Sequence, residues 1–60
     1  MSYVLPAVRE LFGQHPRAEG CSPEQIATLL WALRYTRAPV TCFEVEACLE
    51  ALDIERGEAA

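Results

Sequence analysis

No lysine and no asparagine occur in this sequence of 60 residues, although alanine, arginine, proline and glutamate are plentiful. That bias marks a GC-rich coding genome and points to a bacterial or phage source. Long hydrophobic runs are also missing. The longest, Leu29 to Leu33, falls far short of the roughly 20 residues that span a bilayer. The N-terminus lacks a basic stretch ahead of an apolar one and meets Arg9 and Glu10 at once, so it does not read as a secretory signal. A cytoplasmic location is expected, with no membrane contact. Cysteine is scarce and odd in number: Cys21, Cys42 and Cys48 cannot all pair within one chain, which argues against a disulfide framework and fits a reducing compartment.

Length excludes more. A chain this short buries only about 60% of the surface its unfolded form exposes, so it makes a single domain, residues 1–60, with a thin folding margin. Enclosing a small molecule takes a pocket of roughly 300 Å³ or more, and a miniature domain spends its apolar residues on closing its core. Catalysis is therefore not expected. No glycine-rich phosphate loop and no Ser-His-Asp set is present. His15 with Cys21, Cys42 and Cys48 offers the atoms of a Cys₃His zinc site, yet no C-x₂₋₄-C knuckle exists, so neither metal nor cofactor is expected. Cys48 reads as a small core hydrophobe and His15, beside Pro16, as a loop residue.

What is present is helix grammar. Ser22-Pro23-Glu24-Gln25 combines an N-cap, a proline at the first helical position and a glutamine placed to close a capping box, with Cys21 and Ile26 at the staple positions. A helix over 23–35 follows. The same signals recur at Val40-Thr41-Cys42-Phe43-Glu44-Val45 and predict a helix over 42–53, while Pro39 ends whatever precedes it. The first helix is expected over 6–12, with Pro6 in its first turn, Gly13 as its C′ stop and Tyr3 to Leu5 as an extra turn. Residues 14–20 read as a polar connection and 54–60 as a frayed tail. The fold class is an all-α three-helix domain.

Three apolar stripes supply the core: Val4, Leu5, Val8, Leu11 and Phe12; Ile26, Leu29, Leu30 and Leu33; and Val45, Cys48, Leu49 and Leu52. On the middle helix Trp31 and Tyr35 fall opposite the stripe, with Ala27 one turn before Trp31. Together with Arg34 they form a candidate self-association or partner face, since aromatics beside arginine are the composition of interface hot spots. Completion of the small core by a homodimer is the expectation.

Net charge is −4, and it is uneven: residues 1–40 hold four arginines against three glutamates, whereas residues 41–60 hold Arg56 against six acids. Within that acidic third, Glu46, Glu50 and Asp53 line one edge of the third helix, with Phe43 one turn ahead of Glu46. This strip is a candidate docking site for a basic protein surface, Phe43 acting as its apolar anchor. Nucleic acid is disfavoured as a partner, because phosphates are bound chiefly through Lys and Arg.

The segment from Gln25 to Ala60, in particular LLWALRYTRAPVTCFEVEACLEALDIERGEAA, resembles the opening of bacterial winged-helix or helix-turn-helix domains. The likeness rests on a helix ending in a polar turn over Leu29 to Arg37, the Pro39-Val40-Thr41 cap, and a following helix with Glu44-Val45 and Leu49 or Leu52. It implies a DNA-binding regulator, truncated or completed by dimerisation, whose recognition helix enters the major groove. The sequence stops where that recognition helix would begin and carries no wing, and the exposed positions of its third helix include Glu44, Glu46 and Glu50, which repel phosphate. Residue chemistry instead favours a small acidic protein–protein interaction module. Such a module binds and modulates another protein, by inhibition, in the style of phage and mobile-element proteins.

Overall fold

The computed structural model describes residues 4–59 and contains three α-helices: α1 (Val4–Gln14), α2 (Pro23–Ala32) and α3 (Cys42–Ala59). The long α3 packs against both other helices, and a short 3₁₀ segment, Pro16–Gly20, lies against α1. The shape is a flattened globule of 33 × 24 × 17 Å. No helix among the described residues is long and apolar enough to cross a membrane.

Each helix start follows from its cap. The Ser22 hydroxyl accepts from the Gln25 backbone N–H at 3.3 Å while the Gln25 side-chain oxygen accepts from the Ser22 N–H at 3.2 Å, so the capping box closes in both directions. For α3, the Thr41 hydroxyl accepts the Glu44 N–H at 3.2 Å. In α1, Pro6 sits in the first turn, where backbone N–H groups have no intrahelical partner to lose.

Helix ends and connections depart from expectation in four places. Gly13 is not a stop: α1 continues through it to Gln14, and no glycine among the described residues adopts a positive φ. What ends α1 is Pro16, which forces His15 out of the α region to φ −133°, ψ 78°. The connection after it coils into the 3₁₀ segment, with Ala18 and Cys21 donating to the His15 and Ala18 carbonyls, because small Ala18 is buried in the core. The third departure is at the far end, where α3 runs past Asp53 to Ala59. Two ion pairs hold that extension: Arg9 of α1 engages both carboxylate oxygens of Glu55, and Arg56 reaches Glu19 at 3.2 Å. The expected extra turn before Pro6 exists from Val4 onward, and Tyr3 lies outside the described residues.

The middle helix stops at Ala32, three residues short of Tyr35. Its C-cap is Leu33, after which Arg34 turns into the left-handed region at φ 64°. The Tyr35 N–H then reaches back to the Leu30 carbonyl at 2.8 Å and the Arg34 N–H to the Trp31 carbonyl at 3.2 Å. These are the two bonds of a Schellman ending, built here on arginine where glycine is usual.

The core is wholly apolar among the described residues: Val4, Ala7, Val8, Leu11, Phe12, Ala18, Ile26, Ala27, Leu30, Val45, Cys48 and Leu52. Leu5, Leu29 and Leu49 pack at its edge, as do the staple residues Cys21 and Val40. One stripe member is corrected: Leu33 is 45% exposed, because the helix has ended and its side chain no longer follows the line of Ile26 and Leu30.

Candidate interaction surface

The early end of α2 takes Tyr35 off the helical face that carries Trp31. Tyr35 lies beyond the helix and packs against the core, so it is not one helical turn above Trp31. Ala27 is buried as part of the core. Trp31 stays half-buried, and Arg34 covers its ring with the guanidinium carbon 4.8 Å from the centroid. Within the chain, Ala27 and Tyr35 thus pack with the core, while Trp31 and Arg34 stack on one another at the helix end.

The third helix behaves differently. Val45, Cys48 and Leu52 point into the core, and the register of 100° per residue puts Phe43, Ala47, Glu50 and Ile54 on the opposite side. All four are exposed, Phe43 at 76% and Ile54 at 57%, which makes them the two most exposed large hydrophobic side chains among the described residues. Glu46 and Asp53 stand exposed along one flank of this line. The strip expected from the sequence is therefore accessible along its whole length. Its apolar content is larger than the sequence suggests, since α3 extends far enough to carry Ile54. The signal that finds Ile54 is the 4-3-4 spacing counted on from Phe43 through Ala47 and Glu50.

The charge of this strip is not neutralised among the described residues. Arg9 and Arg56 are engaged with Glu55 and Glu19, whereas Glu46, Glu50 and Asp53 make no ion pair or side-chain hydrogen bond among the described residues. Their charge is left to solvent or to a partner.

Other chemistry is sparse. Cys21 and Cys42 are free thiols, and among the described residues no three His, Cys, Asp or Glu side chains are grouped so as to hold a metal ion. Cys48 is a core residue and the Cys21 thiol donates to the Arg17 carbonyl at 3.9 Å. Two depressions, one beside Gln25, Thr28 and Leu29 and one where Thr36 to Val40 crosses Val4, are open to solvent. No family model, curated protein or solved structure matches the chain.

Proposed function

We propose that this protein is a small acidic interaction module that docks on a basic surface of another protein through the outward face of α3, and modulates that partner by occupying the surface. The observation that carries the reading is the pairing of a 76% exposed Phe43 with three carboxylates, Glu46, Glu50 and Asp53, that no arginine among the described residues neutralises. An exposed phenylalanine loses free energy to water unless it is covered, and the carboxylates beside it select a cationic cover. Inhibition of the partner follows from occlusion, in the manner of small phage and mobile-element proteins, and the working compartment is the cytoplasm. Because Tyr35 and Ala27 are used by the monomer's own core, self-association is not needed for this role.

The test is a paired capture. Wild type and the Glu46→Arg/Glu50→Arg variant serve as baits in the same bacterial lysate, with retained proteins quantified by mass spectrometry. A basic protein retained by wild type and lost with the variant supports the reading. Sequence-selective binding of duplex DNA at physiological salt would overturn it in favour of the helix-turn-helix regulator.

A further inference from the structure

Phe43, Ala47, Glu50 and Ile54 are spaced 4, 3 and 4 residues apart, the spacing of alternating d and a positions in a heptad. Phe43 and Ile54 differ by eleven positions, so they lie within about 20° of one another around the helix and about 16 Å apart along it. Ala47 between them is small and exposed, which allows a second backbone to approach closely. In this register Glu46 and Asp53 fall at g and Glu44 at e, the positions that choose a partner in paired helices.

From this arrangement we infer that α3 recognises a basic amphipathic α-helix, laid along it as the second strand of a short coiled coil. The inference rests on the reading of α3 as the docking face and names what docks there. The partner helix needs at least three turns, apolar residues to meet Phe43 and Ile54, and arginine or lysine opposite Glu46, Glu50 and Asp53. Charge complementarity decides between a partner and a second copy. Two α3 faces brought together would set Glu50 within the seam and Glu46 and Asp53 along its edge against one another, all unneutralised. A cationic helix meets each of those carboxylates with an opposite charge.

Two synthetic peptides of about three heptads test this. The first has leucine at a and d, except for one central seam position that carries arginine to meet Glu50, and arginine at e and g; the second has the same composition with the apolar residues scrambled out of register. Binding of the full chain is followed by fluorescence anisotropy at physiological salt. The heptad peptide should bind at least about tenfold tighter than the scrambled one, and Ile54→Ser should remove most of that advantage, as loss of a buried isoleucine contact requires. Ile54 lies outside the core, and circular dichroism of the variant checks that the fold is kept. Equal affinity for both peptides overturns the inference, as does an Ile54→Ser variant that discriminates as wild type does. If those failures occur while Glu46→Arg/Glu50→Arg still abolishes capture of a basic protein, the docking strip stands and the helical seam falls. If the charge reversal is also without effect, the reading of α3 falls with it.

Discussion

The guanidinium of Arg34 covers the ring of Trp31 at 4.8 Å from a backbone that is itself left-handed, φ 64°. A non-glycine residue in that region costs roughly 1 kcal/mol, and stacking on an indole returns about 0.5–1 kcal/mol. The two terms nearly cancel, which lets arginine stand at a position where glycine is the usual solution. Arg34→Ala keeps the backbone cost and loses the stacking, so it should destabilise by about 0.5–1 kcal/mol in urea unfolding. Arg34→Gly loses both and should fall within about 0.5 kcal/mol of wild type. An alanine variant as stable as the glycine variant would contradict this account of the helix end.

Gly13 offers a sharper contrast. It lies inside α1 with no positive φ, and a Cβ added there meets no atom within 4 Å. Gly13→Ala should stabilise by about 0.5–1 kcal/mol, raising the melting temperature by roughly 4–8 °C per kcal/mol for a domain of this size. A lower melting temperature would mean that Gly13 is the left-handed stop after all.

Leu30 and Leu33 belong to one stripe in the sequence and to different environments in the fold. Leu30 is fully buried and Leu33 is 45% exposed. Leu30→Ala should cost about 2–5 kcal/mol, comparable with the whole stability of a small domain, whereas Leu33→Ala should cost under about 1 kcal/mol. Chemical denaturation of both variants checks the ratio.

The last turns of α3 depend on groups far away in sequence. Arg9 and Glu55 are each about half exposed, 50% and 48%, so removing their pair should change global stability by no more than about 1 kcal/mol. The local effect should be clearer: Arg9→Gln should speed amide exchange at residues 54–57 and leave Val45 and Cys48 protected. High salt should shrink the difference between variant and wild type.

Local chemistry made the helix starts legible. Ser22 with Gln25, and Thr41 ahead of Glu44, announce their roles within four residues, and the stripe spacings identify most of the core. Helix ends were harder for physical reasons. Arg34 carries no glycine-like signal, because its left-handed turn is held by the Leu30 and Trp31 carbonyls and by the indole it covers. His15 ends α1 through the proline after it, a signal that competes in the sequence with the nearer Gly13. The last turns of α3 carry Glu55, whose partner Arg9 lies 46 residues away, a contact that no local pattern reports. The same gap hid Ile54: its place on the outer face of α3 has meaning only once the helix is known to reach it.

An NMR titration tests the central claim most directly. Uniformly ¹⁵N-labelled protein is titrated at physiological salt with the heptad peptide, whose seam is leucine apart from the arginine that meets Glu50 and whose e and g positions are arginine. The account predicts that amide shifts concentrate at Phe43, Glu46, Ala47, Glu50, Asp53 and Ile54, with Trp31 and Arg34 unmoved. Shifts centred on Trp31 and Arg34, or no saturable shift along α3, would contradict it.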